Sequence, residues 1–289
     1  MLIAAPTGVV WDKVFPGGNA AQQASEQFNL CRRATERVDS YVNQQLRAVI
    51  SQEQIDGPDF WLTVAHNGNA RAMLQRWPVI SILGAATCAA NAFPQVFTAI
   101  PLNMMRLEHP YPGRLGSAVP GGEAIGPNAI IVAPGFVDWS NGRVGWTLQA
   151  QYISGWPHAS LNALAATGAT ALVVDDCAGW SLGVTATIFD SEKTETVSVT
   201  AASAPSGPGT ITTSALLFEH DVNTIVSSMP DNLQWATILV AAAMANVRGL
   251  SATRPSTGVP ARSSTQTVPH DQYISDEAKE ILDPYRRVF

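Results

Sequence analysis

AAQQASEQFNLCRRATERVDSYVNQQL, residues 20–46, carries Cys31, Ala34, Val38, Tyr41 and Val42 at spacings of three and four. Side chains so spaced share one face of a helix. Arg32, Arg33, Glu36, Arg37 and Asp39 fall mostly off that stripe, so the stretch predicts an amphipathic helix. Pro16-Gly17-Gly18 breaks the chain before it, and Asn19 stands where an N-cap is wanted. A partner lies far along the chain. DNLQWATILVAAAMANVRG, residues 231–249, repeats Leu233, Ala236, Val240, Ala243 and Val247 at helical spacing, with Asp231 as candidate cap after Pro230 and Gly249 as candidate stop. Its Ala-rich middle permits close approach, so the two helices are expected to pack as one module with β pieces inserted between them.

The residues between them read as strands. From about 47 to 156, Gly, Pro and Asn punctuate short runs such as FWLTV, PVISILGAATCAA, PLNMMRLEH, AIIVAP and WTLQAQYISGW. Residues 112–128, PGRLGSAVPGGEAIGPN, form a loop too long for a hairpin. Residues 165–229 then hold five short β-branched runs, the pattern of a small barrel or sandwich. The predicted class is α+β: a small helical core with a β-rich region, an inserted small β-barrel or sandwich, and an extended C-terminal tail. The expected parts are an arm at 1–19, helix plus β-rich core at 20–158, the inserted β domain at 159–230, a core helix at 231–250, and a flexible linker with anchor tail at 251–289.

Composition narrows the function classes. The chain has 289 residues, enough for one large or two ordinary domains, yet only 14% are charged. Soluble domains average about a quarter, which points to an Ala/Thr/Ser-heavy protein or to surface covered by other subunits. A net charge of −6 argues against a protein that coats nucleic acid. Cys31, Cys88 and Cys177 are odd in number and lie far apart, the pattern of reduced, buried thiols. The N-terminal stretch lacks a basic region and is broken by Pro6, Gly8 and Pro16, and no run reaches the ~18 apolar residues of a membrane span. The expectation is a soluble protein folding in a cytoplasm.

No catalytic signature stands out. His66, His109, His158, His220 and His270 are scattered and read as surface or turn histidines. No Walker loop or dinucleotide fingerprint is present. Asp175 and Asp176, with Asp190, Glu192 and Glu195, can be drawn as a calcium site, but Asp-Asp before Cys-Ala-Gly-Trp reads better as a strand end entering a turn. No metal, no cofactor and no enzymatic activity are expected. Trp139, Trp146 and Trp156 near turns suit sugar stacking and subunit interfaces equally.

The chain ends ILDPYRRVF, residues 281–289, after a Ser/Thr/Pro/Gly stretch with almost no large apolar residue. That stretch cannot bury enough surface to order itself, so the last residues are expected to be tethered at a distance from the body. In ISDEAKEILDPYRRVF, Asp276 and Glu277 begin a short helical stretch, Ile281 and Leu282 lie near its end, and Pro284 stops it. So short a helix is unstable alone. Docked, it would offer apolar anchors, with Arg286 and Arg287 to pair carboxylates.

ATERVDSYVNQQL, RWPVISILG, QYISGWP, LQWATILVAAAMANVRG and the ending ILDPYRRVF, taken together, resemble the head-tail connector (adaptor, or head-completion) proteins of tailed bacteriophages. The segment from TALVVDDCAGWSLGVTATI to ALLFEHDVNTIVSSMP resembles a β module inside some longer members. The resemblance covers most of residues 25–289 and is distributed, with no single diagnostic motif. It implies a homo-oligomeric ring, typically a dodecamer, beneath the portal of the virion neck, assembled in host cytoplasm. The ring would extend the DNA channel without specific DNA binding and dock the next neck or tail protein. By the same resemblance Ile281, Leu282, Tyr285, Arg286, Arg287 and Phe289 are the portal-binding tail. The large insertion departs from the shortest members and leaves open which surface meets the tail. The alternatives are a tail-completion or baseplate protein with a carbohydrate-binding β module, and a cell-wall hydrolase using Asp175 or Asp176 with a histidine.

Overall fold

The computed structural model of the protein describes residues 20–56, 62–64, 69–89, 93–108, 129–134, 136, 146–252 and 273–286. Asn19, Gly/Pro-rich residues 112–128 and Trp139 lie outside them. The chain divides into two compact units, Met1–Gln45 with Met229–Phe289, and Leu46–Ser228. The fold is α+β.

The first unit is helical, with α1 (Ala20–Val42), α2 (Asp231–Ala252) and α3 (Asp276–Leu282), the last followed by a 3-10 turn at Asp283–Tyr285. α1 buries Leu30, Cys31, Ala34, Val38 and Val42, and α2, which packs against it, buries Leu233, Ala236, Val240, Ala241 and Ala245. Tyr41 and Ala243, expected on these stripes, are only half-buried. Thr35 and Thr237 are buried among the apolar groups and donate their hydroxyls to the carbonyls one turn back, at 3.0 and 2.9 Å, which satisfies groups that burial would otherwise strand. The Cys31 thiol sits on this face, and burial pushes its pKa up to about 11.

Three helix ends differ from expectation. α1 stops at Val42 and not at 46, because Asn43 takes a left-handed backbone (φ 59°) and the Gln44 N–H closes on the Asp39 carbonyl at 3.1 Å. This is the Schellman arrangement, in which Asn substitutes for the usual Gly. At the start of α2 the Pro230 carbonyl accepts from Leu233 and Gln234, so Pro230 holds the cap position and Asp231 lies in the first turn, where its negative charge is favoured by the positive end of the helix dipole. Gly249 does not end α2, which continues to Ala252.

Among its described residues the second unit is built of strands, with 3-10 turns at Leu102–Met104 and Ser191–Lys193. Its strands, in chain order, are β1 (Val49–Asp56), β2 (Leu62–Val64), β3 (Ala70–Met73), β4 (Val79–Ala89), β5 (Thr98–Ile100), β6 (Met105–Glu108), β7 (Ala129–Val132), β8 (Trp146–Ser154), β9 (His158–Ser160), β10 (Ala171–Val174), β11 (Thr185–Phe189), β12 (Glu195–Ala202), β13 (Gly209–Thr213) and β14 (Ile225–Ser227). One antiparallel sheet runs β1-β8-β4-β5 and another β2-β3-β7-β6. Alternation decides which faces meet. Trp146, Leu148, Ala150 and Tyr152 of β8 point into one core with Ala70 and Ala72 of β3 and Ile130 and Val132 of β7.

The third sheet runs β10-β13-β12-β11-β14-β9. Its outer strands meet: Asn162 N–H donates to Val173 at 2.8 Å and Asp175 N–H to Ser160 at 3.0 Å, flanking a Leu161–Val174 bridge. The sheet therefore curls into a small barrel, which leaves it no unpaired edge over this stretch. Leu172, Val174, Ile188, Val197, Val199, Ile211 and Val226 fill its interior. A second apolar cluster, Ala48, Ile153 and Ala178 with Ile80 and Leu83, joins the barrel's turn at 177–179 to the other face of the first sheet. Two glycines serve close approaches here. A Cβ on Gly155 (φ +102°) would lie 2.5 Å from the Arg47 carbonyl oxygen, and one on Gly179 2.5 Å from Ile80 Cδ1. Cys31, Cys88 and Cys177 are all buried and none is in a disulfide.

Candidate functional site

The described part of the C-terminal segment packs on the unit's own helices, contrary to the expectation that the last residues stand away from the body. Ile274, Ala278, Leu282 and Tyr285 recur at intervals of four, four and three, and all four are buried. α3 packs against α2 and α1. The segment closes itself at both ends. Ser275 caps α3, its hydroxyl accepting from the Ala278 N–H at 3.2 Å, and the 3-10 turn carrying Pro284 ends it.

Polar contacts rim this apolar stripe. The Tyr41 hydroxyl donates to the Asp283 carboxylate at 2.6 Å, and the Arg286 guanidinium lies 5.1 Å from the centre of the same ring. An ionised acceptor strengthens the first contact, and the ring quadrupole draws the cation to the second. The buried Gln44 amide donates to the Tyr285 carbonyl at 3.4 Å, and Asn232 both donates to and accepts from the Tyr285 hydroxyl at 3.3 and 3.4 Å. The indole N–H of Trp235, half exposed on α2, donates to Glu277 at 3.2 Å. Beside the start of the segment, Arg33, Glu36, Arg37, Ser40, Met244 and Tyr273 line an open groove of about 340 Å³.

Of the six tail residues singled out in the sequence, Leu282 and Tyr285 are buried in this seat, Ile281 is half-buried and Arg286 is exposed. Arg287 and Phe289 lie outside the described residues. Of the residues that form the seat, Gln44, Asn232 and Trp235 escaped the sequence reading, and Tyr41 entered it only as part of the α1 stripe. The 274/278/282/285 spacing was the available signal, since it gives the segment an apolar face that needs a partner.

The carboxylates of the β unit serve local structure. Asp175 accepts from the N–H and hydroxyl of Ser160 at 2.7 and 3.1 Å, and Asp176 from the N–H groups of Ala178 and Gly207, each at 2.9 Å. Among the described residues no group of three or more His, Cys, Asp and Glu side chains is arranged to hold a metal ion. Two histidines differ from the expected surface or turn role, while His66, His109 and His270 lie outside the described residues. His158 is buried on β9 with Nδ1 2.9 Å from Ser227 Oγ. His220 is fully buried, its Nδ1 3.0 Å from Asp190 and its Nε2 2.8 Å from Glu195.

Glu195 also accepts from the Leu217 and Phe218 N–H groups at 2.8 and 3.1 Å. Burial alone would raise its pKa, but these N–H groups and His220 outweigh it and hold the carboxyl below its ordinary value. The cluster thereby fixes the 216–220 loop, where Leu217 and Phe218 remain exposed. Elsewhere on the β unit Phe93 is fully exposed between β4 and β5, with Val96, Leu102 and Met104 also exposed. No family model, no curated protein and no solved structure matches this chain.

Proposed function

We propose that the chain is a structural subunit of a bacteriophage neck, a non-enzymatic head-tail connector without cofactor that assembles with copies of itself into a ring beneath the portal. The observation that carries this reading is the C-terminal segment: a capped helix holds Leu282 and Tyr285, and the exposed Arg286 leads into the last residues of the chain. This divides the tail's labour. Leu282 and Tyr285 fasten the segment, while Arg286, Arg287 and Phe289 are the portal-contacting end. Exposed Phe93, Val96 and Leu217 supply apolar surface of the kind that interfaces between subunits or with a following neck protein cover. Repetition around a ring turns a weak peptide contact into a strong one, and a wall with little positive charge lets DNA slide past.

The test is co-sedimentation with purified portal particles of the same virus, followed by imaging. The full chain is compared with one ending at residue 286, which keeps the whole docked segment. Rings on one end of the portal, lost on removing three residues, are the expected result. Failure of the full chain to bind would remove the connector reading, and equal binding by both forms would remove the assignment of the terminal residues.

A further inference from the structure

On the barrel, residues 161–169 and 216–224 run antiparallel as a ribbon. Leu161 N–H donates to Thr224 and Asn223 N–H to Leu161, Ala165 and His220 exchange N–H groups, and Gly168 N–H donates to Leu216. Along this ribbon Leu164, Leu217, Phe218 and Val222 are exposed, Leu217 to 71%. Their backbone is pinned from beneath, because Glu195 takes the N–H groups of Leu217 and Phe218, and His220 is held between Glu195 and Asp190. Burying a carboxylate is costly, and what this one fixes in place is a pair of outward apolar residues. A loop ordered in advance loses little freedom on binding, so the ribbon is built as a contact surface.

Its rim is acidic. Glu219 and Asp221 flank buried His220 and are exposed, as is Glu192 on the adjoining 3-10 turn, whose Lys193 donates to the Glu219 carbonyl at 3.3 Å. The helical unit offers the complement. The groove beside α1 is lined by Met244 and Tyr273 together with Arg33 and Arg37, and its Glu36 lies 3.8 Å from Arg32. Three of the chain's 17 Lys and Arg residues fall between positions 32 and 37, so positive charge is concentrated there in a chain of net charge −6. The groove's volume of about 340 Å³ exceeds the ~150 Å³ that holds one benzene ring, which leaves room for the Phe218 ring with Leu217 beside it.

We propose that the 216–222 ribbon of one copy docks in the α1 groove of a second copy, Leu217 and Phe218 against Met244 and Tyr273, Glu219 and Asp221 against Arg33 and Arg37. An acid-rimmed projection and an arginine-lined groove on the same chain make a heterologous contact, which repeats from copy to copy and closes into a ring where the rotation allows. The contact deepens the ring reading above and rests on it for closure alone.

Charge exchange at exposed positions tests the contact in full-length chains. A ribbon variant carries Glu219→Arg with Asp221→Arg, and a groove variant carries Arg33→Glu. Each alone sets like charges together and should raise the concentration needed for assembly about tenfold or more. Assembly is read by sedimentation velocity of the free chain and by imaging rings on portal particles. An equimolar mixture of the two variants, and a single chain carrying all three substitutions, should both return to the parent level, because opposite charges face one another again. Variants that assemble as the parent does would overturn the contact, and parent rings would leave the ring reading standing. Loss in both variants with no recovery in either combination would also overturn it. Recovery in the triple variant but not in the mixture would place the pair within one chain and remove the second copy as occupant. Self-association that follows the charges without rings on portal would uphold the contact and remove the ring reading, and a parent that assembles in neither assay would remove both.

Discussion

Leu282→Ala gives the sharpest check on the seat of the C-terminal helix. Leu282 is fully buried at the centre of the stripe that also includes Ala278 and Tyr285. Truncating a buried Leu costs about 2–5 kcal/mol, the upper part of the range applying where the surroundings cannot collapse into the void. Tyr285 and Gln44 are tied by hydrogen bonds on either side of the site, so little collapse is available and ~3 kcal/mol is a fair value. Because the segment is docked through few side chains, that loss falls on docking and not on the unit as a whole. It corresponds to roughly a hundredfold shift toward the released form. Hydrogen exchange read by mass spectrometry should show the 273–286 peptide losing about a hundredfold of its protection, up to the limit of complete release. Peptides from β10 to β13 should be unchanged. Retained protection at 273–286 would mean that the apolar stripe does not hold the helix, and the argument from burial would fail.

Three further variants test the β unit. His220→Ala leaves Glu195 buried without its ring partner and should cost roughly 3–5 kcal/mol, read as a lower denaturant midpoint; acid should act on the same place. Since Glu195 is held below its unfolded value of about 4.3, the stability it contributes is complete above that pH and is lost as pH falls through the lower folded value; Glu195→Gln should flatten that part of the pH–stability curve. Gly155→Ala should destabilise by about 2 kcal/mol or more, because it adds a Cβ at positive φ against the Arg47 carbonyl, and an unchanged melting temperature would refute the close approach.

The parts of the fold legible in the sequence were those with a clean period. The α1 and α2 stripes and the β-branched runs that became β10 to β14 announced themselves. β1, VISQEQID, did not, because it is mostly polar and becomes a strand by pairing along its whole length with β8, from Val49↔Ser154 to Asp56↔Thr147. β9 is three residues after a proline, too short to carry a period, yet it closes the barrel. The end of α1 turned on Asn43, whose left-handed backbone no apolar pattern encodes. For the candidate site, the amphipathic tail helix could be read from 276 to 284, but its partner could not. The seat is made of Tyr41, Gln44, Asn232 and Trp235, side chains brought together from positions about 190 residues apart, and their roles as donors exist only after α1 and α2 have met.

That separation has a consequence in time. At about 5–20 residues per second, the ~190 residues between the end of α1 and the start of α2 take roughly 10–40 s to synthesise. Throughout that interval α1 is a lone helix of marginal stability, and Leu30, Cys31, Ala34, Val38 and Val42 have nothing to lie against. The strands of the β unit are complete in the nascent chain before α2 begins. The ribosome thus delivers a finished β unit behind an unprotected apolar face, which makes α1 the part of the newborn chain most in need of a chaperone.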